Sequence, residues 1–128
     1  MERLVSILVV AAGGALGSAL RYLVALYAQS RGWNFPYATL IVNLVGSFLI
    51  AFVLELGMLR KDLPVNHQLA LTTGFMGGFT TYSAFNAETT RLFLDGHTAR
   101  GVANVCATVV GALGAGLLGM WVARRIAP

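Results

Sequence analysis

The chain has 128 residues, of which 57% are hydrophobic and only 11% are charged. Soluble domains carry about 25% charged residues, so the composition excludes an ordinary soluble protein and indicates that lipid is the solvent. The net charge is +4, but the basic residues are scattered and mostly lie at the ends of apolar segments, which is not a nucleic-acid-binding pattern. The length predicts a single domain over residues 1–128.

Four stretches are long and apolar enough to be membrane-spanning helices, each of which needs about 20 apolar residues. In chain order they are residues 4–27, 38–59, 68–94 and 102–123. The segments RGWNFPY, RKDLP and DGHTAR separate them, and such short connections predict antiparallel neighbours. We expect the first stretch to be a retained helix, because its apolar run continues past the small residues that could mimic a signal-peptide cleavage site.

Small residues recur at intervals of four in three of these spans, a spacing that lets helix backbones approach closely in lipid. The pairs are Gly13/Gly17, Gly74/Gly78, Ala107/Gly111, Ala112/Gly116 and Ala115/Gly119. A four-helix unit of this size has little interior for a pore. We therefore expect an oligomer, supported by these small-residue faces.

The basic residues give only a weak bias to the orientation in the membrane. The side that holds both termini carries Arg3, Arg60, Lys61, Arg124 and Arg125. The opposite side carries Arg31, Arg91 and Arg100, and also Arg21 if it reaches that interface. Because the positive-inside rule needs a clear excess on one side, this balance suggests insertion in both orientations and an antiparallel homodimer.

Few polar side chains lie deep in the spans, where such groups usually face a partner, a cavity or an ion pathway. Asn43 and Thr39 share one face of the second span, and the Asn43 amide either bonds a neighbouring helix or donates to a passing anion. Arg21 either reaches the headgroups or is a fixed charge near a pore mouth. The carboxylate of Glu88 suits a cation, a proton or a helix-pairing hydrogen bond.

Residues 74–88, GFMGGFTTYSAFNAE, are unusually polar and glycine-rich for a membrane span. Gly77 and Gly78 each weaken a helix by about 1 kcal/mol relative to alanine. Irregular backbone at membrane depth is tolerated only where it is buried in protein or lines a cavity. We expect a third helix broken in mid-membrane, whose free carbonyls suit a hard cation and whose free amides suit an anion. A kinked helix packed tightly through its glycines is the alternative.

The sequence has no pattern of an enzyme active site. His67 and His97 lie in predicted loops without obvious partners, and neither a phosphate-binding loop nor a zinc-binding or nucleophile spacing occurs. Cys106 lies in an apolar run and is expected to be a buried thiol. We therefore expect a membrane protein that is not an enzyme.

Three segments resemble the small bacterial fluoride channels of the Fluc type, the CrcB family. They are GGALGSALRY, TLIVNLVGSF and TGFMGGFTTYSAFNAET in the first three spans. With the four spans and the length, the resemblance covers essentially the whole chain. It implies a multi-pass protein of the bacterial inner membrane that exports fluoride passively, as an antiparallel dual-topology homodimer with two pores.

The resemblance also implies roles for individual residues. The backbone carbonyls of Gly77 and Thr80, at the break, would hold a structural sodium ion shared by both subunits. Tyr82 and Phe85 occupy the positions of two pore-lining phenylalanines, whose positive ring edges would contact fluoride. The path would further include Arg21, Thr39, Asn43, Thr81, Ser83, Glu88 and Thr108, with Asn104 as a second candidate on the fourth span. Tyr82 departs from the phenylalanine usual in the family.

Two other functions are compatible with a small four-span protein. A dual-topology multidrug exporter would need a carboxylate within the first span, and residues 4–20 contain none. A membrane assembly subunit without transport activity would use residues 74–88 for packing alone.

Overall fold

The structure, a computed structural model, describes residues 1–60 and 63–127, so Lys61 of the charge balance lies outside the described residues. The elements are α1 (Glu2–Ser30), α2 (Tyr37–Leu59), α3 (Val65–Leu69), a π-helical segment (Ala70–Met76), α4 (Gly77–Phe79), α5 (Tyr82–Leu94) and α6 (Thr98–Ile126). Of the described helices, α1, α2 and α6 are long and apolar enough to cross a membrane. The predicted all-helical class is confirmed, and the third predicted span is a series of shorter helical pieces.

A glycine makes the turn between α5 and α6. Gly96 has a φ of +79°, a conformation that residues with a Cβ rarely adopt. Its amide donates to the Phe93 carbonyl at 3.1 Å, and the His97 amide donates to the Leu92 carbonyl at 2.8 Å. These bonds satisfy the last carbonyls of α5, so the chain reverses within a few residues and α6 packs against α5.

Glycines bring α1 into backbone contact with the first half of the third segment. A Cβ on Gly17 would overlap the carbonyl oxygen of Phe75, and a Cβ on Gly78 would overlap that of Gly14. A Cβ on Gly13 would lie only 3.2 Å from the Cα atom of Gly74. The two GxxxG pairs therefore pack against each other within one chain. Contrary to the prediction, these faces are already occupied and do not support pairing with a second copy.

The most extensive helix pair is formed by α2 and α6. A Cβ on Gly119 would overlap the carbonyl oxygen of Phe48, so close backbone packing is again a consequence of glycine. Glu55, 5% exposed on α2, accepts a hydrogen bond from Nε of Arg124 on α6. Cys106 is exposed rather than buried, because α6 turns Gly111, Gly116 and Gly119 toward α2 and leaves the cysteine on another face.

Candidate ion pathway

The third segment is broken at two threonines that follow the glycines. Thr80 has φ −82° and ψ 159°, and Thr81 has φ −154° and ψ 119°, so both are extended. Gly77 and Gly78 remain helical in α4. The break therefore lies slightly later than the glycines indicated, because Gly78 is required for contact with α1 rather than for a bend.

Asn43 of α2 satisfies both backbone groups of Thr81. Its Nδ2 donates to the Thr81 carbonyl at 3.0 Å, and its Oδ1 accepts from the Thr81 amide at 2.8 Å. Asn43 is only 9% exposed, so these bonds replace helical bonds at a place where little water is available. The interhelical role left open by the sequence is present. The second hydrogen of the Asn43 amide group is not used by either bond.

The break leaves several carbonyls without their helical donors, among them those of Gly77 and Thr80. In a continuous helix the Thr81 amide would donate to Gly77, and the Ala84 amide would donate to Thr80. Here the Thr81 amide donates to Asn43, and the Ala84 amide donates to the Thr81 hydroxyl at 3.2 Å, which caps α5. The carbonyls of Gly77 and Thr80 thus lose their helical donors. Carbonyl oxygens are ordinary ligands for hard cations, so this pair fits the sodium role implied by the resemblance.

In the described ranges, no three carboxylate, thiol or imidazole side chains lie close enough together to hold a metal ion. A bound cation would therefore depend on backbone and hydroxyl oxygens. Gly77 is exposed and Thr80 is half-buried, so both lie at the surface of the single chain.

Arg21 lies against the break. Its Nε donates to the Gly78 carbonyl at 3.0 Å, and the Ser18 hydroxyl donates to the same oxygen at 3.4 Å. The guanidinium therefore lies at the carboxyl end of α4, where the helix dipole favours a positive charge. Arg21 is half-buried, and this hydrogen bond holds its guanidinium against the break.

A cavity of about 480 Å³ opens beside the break and collects most of the predicted fluoride residues. Its lining includes Asn43, Thr80, Thr81, Tyr82, Phe85 and Thr108. Phe85 is buried, whereas Tyr82 is 78% exposed, and their ring centroids lie 5.8 Å apart. The hydroxyl of Thr108 is buried and has no hydrogen-bond partner among the described residues. A buried polar group of this kind needs a water or a ligand.

A second cavity, of about 110 Å³, shares Thr81 with the first. Arg21, Thr39 and Glu88 line it. The Thr39 hydroxyl donates to Oε1 of Glu88 at 2.8 Å, and within the described ranges the buried Oε2 has no partner. Three predicted residues from three different helices are therefore brought together next to the break.

A third cavity, of about 410 Å³, shares Glu88 with the second. Arg91, Asp95, His97 and Arg100 also line it, at the end of α5 and the start of α6. Loop residues before α2, including Trp33, form the opposite wall. The three cavities are therefore neighbours, because Thr81 borders the first and second and Glu88 borders the second and third.

Two of the residues predicted for the fluoride path lie outside these cavity linings, and two other residues were missed. Ser83 is exposed, and its hydroxyl lies 3.3 Å from that of Thr81. Asn104 donates to Thr89 instead of facing the first cavity. Thr89 was missed, although its position one helical turn after Phe85 was an available signal. Gly46 was also missed; it lines the first cavity, where a Cβ would overlap the Thr80 methyl group.

The sequence matches one protein-family model over most of its length. That model, described as CrcB-like protein, Camphor Resistance (CrcB), covers residues 8–120. The chain belongs to this CrcB-like family. The resemblance noted from three short segments is confirmed by a match that includes all three.

Several relatives of this CrcB-like chain bear the name fluoride-specific ion channel FluC. The protein of Sorangium cellulosum (strain So ce56) is 49% identical over 115 residues, which are 89% of this chain and 91% of the relative. That of Clostridium perfringens (strain 13 / Type A) is 40% identical over 128 residues, 99% and 97% of the two chains. That of Anaeromyxobacter sp. (strain K) is 44% identical over 122 residues, 94% and 97%. With its apolar helices, the CrcB-like chain is a multi-pass bacterial membrane protein.

Proposed function

We propose that this protein is a fluoride channel that lets fluoride leave the cytoplasm passively through the bacterial inner membrane. The observation that carries the proposal is the 480 Å³ cavity beside the helix break, whose lining combines the amide residue Asn43, threonines and the aromatic residues Tyr82 and Phe85. Fluoride is small and strongly hydrated, so a pore must replace its water with several donors that bind without trapping the ion. The names of the relatives, fluoride-specific ion channels, support this choice of ion. Such a channel is not an enzyme.

The proposed path runs through the three neighbouring cavities. Fluoride would pass Asn43, Tyr82, Phe85 and Thr108 in the first, with Thr81 leading into the second. Arg21, Thr39 and Glu88 line the second cavity, and Ser83 supports the Thr81 hydroxyl. In the third, Arg91 and Arg100 lie with the carboxylates of Glu88 and Asp95, and His97 completes the polar lining.

We also propose that each chain spans the membrane four times and that two antiparallel copies complete two pores around a structural sodium ion. The third crossing would be made by the broken run from α3 to α5. The free carbonyls of Gly77 and Thr80 at the chain surface support a cation shared between copies. The 78% exposure of Tyr82 beside them supports a covering partner, and the weak charge bias supports insertion in both orientations.

Efflux from reconstituted liposomes tests the function. With a potassium ionophore to dissipate the membrane potential, we expect rapid fluoride release at a fluoride electrode and no chloride release. Proton-coupled release of a cationic dye would instead favour the multidrug exporter. Such an exporter needs a carboxylate within the first span, whereas the acidic residue of α1, Glu2, lies in its first turn. A folded protein that is silent in both assays would favour the assembly subunit.

A reporter fused to the carboxyl terminus tests the topology. Antiparallel insertion predicts that half of the fusions are active on each side of the membrane. A reporter that is active on one side only would contradict the antiparallel dimer. The fluoride function would still be tested independently by the efflux assay.

A further inference from the structure

A chain of hydrogen bonds joins α6 to the backbone of Phe85, a residue of the proposed fluoride path. Thr89 follows Phe85 by one turn of α5, and its hydroxyl donates to the Phe85 carbonyl at 2.6 Å. Asn104 of α6 donates from Nδ2 to the same hydroxyl oxygen at 2.8 Å. Thr89 is 6% exposed and Asn104 is 1% exposed, so the chain is sealed from solvent on both sides.

The direction of this hydrogen-bond chain is determined by its chemistry. The Thr89 hydroxyl has one hydrogen, which is committed to the Phe85 carbonyl, so its oxygen must accept from the Asn104 amide. In a low-dielectric interior a fully satisfied polar network is rigid, and the loss of one member leaves the others unsatisfied at a high cost. The pair therefore ties one peptide of α5 to one position on α6.

The tie lies where α5 needs support. α5 begins at Tyr82, directly after the extended threonines, so Phe85 lies in the first turn of a helix that is capped by the Thr81 hydroxyl but does not continue α4. First turns fray unless side chains or packing hold them. On α6, Thr108 lies four residues after Asn104 and so on the same face. Asn104 thus sets the register that places Phe85 across the first cavity from the unpartnered Thr108 hydroxyl.

We infer that Thr89 and Asn104 are positioning residues that hold the Phe85 ring in the orientation used for fluoride. This inference rests on the proposed fluoride function, although neither residue lines the first cavity. The Thr89 and Asn104 side chains act through the Phe85 peptide and through the spacing of α5 from α6. Their removal should therefore disturb ion passage and ring order while the rest of the fold remains.

Two substitutions remove the hydrogen-bond chain, and three others serve as controls. Thr89→Val keeps the shape and removes the hydroxyl, whereas Thr89→Ser keeps the hydroxyl. Asn104→Ala removes the donor and leaves the Thr89–Phe85 bond in place. Thr72→Val also removes a buried hydroxyl that donates to the carbonyl four residues earlier. Thr72 lies in the π-helical segment rather than in α5, so this variant leaves the Thr89–Asn104 pair intact. Thr90→Val changes the exposed neighbour of Thr89.

Fluoride efflux and the ¹⁹F NMR signal of 4-fluorophenylalanine incorporated at position 85 are the two readouts. Thr89→Val and Asn104→Ala should each slow efflux by about tenfold, the scale expected when one buried hydrogen bond is lost. The double variant should be no slower than the worse single one, because both remove the same unit. The ¹⁹F line should broaden or split in these variants and stay narrow in Thr89→Ser, Thr72→Val and Thr90→Val.

An unchanged rate and an unchanged ¹⁹F line in Asn104→Ala would overturn the inference, as would a Thr89→Ser variant as slow as Thr89→Val. If neither Thr89→Val nor Asn104→Ala folds, the pair supports the whole α5–α6 contact and the inference is also overturned. Absence of fluoride efflux in the unsubstituted protein would instead contradict the proposed function. In that case the ¹⁹F comparison still decides whether the pair orders Phe85.

Discussion

Asn43 pairs with the backbone of Thr81 through two hydrogen bonds, one to the carbonyl and one from the amide. The side-chain amide acts as a substitute peptide group, because the backbone at the break has no helical partner. Asn43 also lines the first cavity. One side chain therefore holds the break open and presents its remaining N–H hydrogen near the proposed ion site.

Asn43→Ala should sharply reduce fluoride efflux while the dimer persists. The substitution leaves both backbone groups of Thr81 without partners, at a cost of about 1–3 kcal/mol for each buried group. Efflux from liposomes and thermal unfolding in detergent measure the two effects. Asn86→Ala, on an exposed position of α5, is the control and should match the unsubstituted protein. Equal efflux in both variants would contradict the role of Asn43.

Phe85→Ile should also reduce efflux strongly, because isoleucine fills the buried space without an aromatic edge of positive potential. The oligomeric state should not change, as judged by gel filtration in detergent. Phe52→Ile removes an aromatic ring of α2 that stacks on Phe48 outside the first cavity and should leave the rate within about twofold, since small packing changes cost little. A rate unaffected by Phe85→Ile would remove this ring from the path.

Gly17→Ala should destabilise the protein by about 1–3 kcal/mol, the usual cost of overpacking. The new Cβ would overlap backbone atoms of Phe75, which cannot move aside as the end of a flexible side chain could. Gly114→Ala is a matched control in α6, because no atom lies within 4 Å of a Cβ at that position. Thermal unfolding in detergent compares the two variants, and similar melting temperatures would argue against the close contact of α1 with the third segment.

Arg124→Gln should destabilise the protein more than Arg125→Gln. Arg124 donates to the buried carboxylate of Glu55, whereas Arg125 stacks on the Trp121 ring at the surface. Loss of a charged partner from a buried group costs about 1–3 kcal/mol. Glu55→Gln combined with Arg124→Gln should recover part of that loss, because no unpaired charge remains. Equal melting temperatures for the two arginine variants would contradict the importance of this pair.

Replacement of sodium by a large organic cation should lower the melting temperature of the dimer. A ligand that binds only the folded state stabilises it. This stabilisation increases with the logarithm of the ratio of the ligand concentration to the dissociation constant. Replacement of sodium by potassium should lower the melting temperature by the same amount if the Gly77 and Thr80 carbonyls do not accept the larger ion. A melting temperature independent of the cation would contradict the sodium proposal while leaving the fluoride path untouched.

Much of the architecture could be predicted from apolar runs and their separators. The α1 and α6 helices extend a few residues beyond the predicted spans 4–27 and 102–123, since hydropathy marks the apolar core of a helix rather than its hydrogen-bonded ends, whereas α2 matches the predicted 38–59 except that it begins at Tyr37. The broken third segment was predicted from its glycines and hydroxyls. Its position at Thr80 and Thr81 was not, because the packing of Gly78 on α1 keeps the glycines helical.

The sequence by itself determined that lipid is the solvent, which segments form helices, and which polar residues needed an explanation. Tertiary structure decided which polar groups meet: Asn43 with the backbone of Thr81, Thr39 with Glu88, and Asn104 with Thr89. These pairs join residues on different helices, and their identity depends on helix rotation and register, which periodicity alone does not set. Each pair exists because a polar group excluded from water must bond to whichever polar group the packing brings within reach.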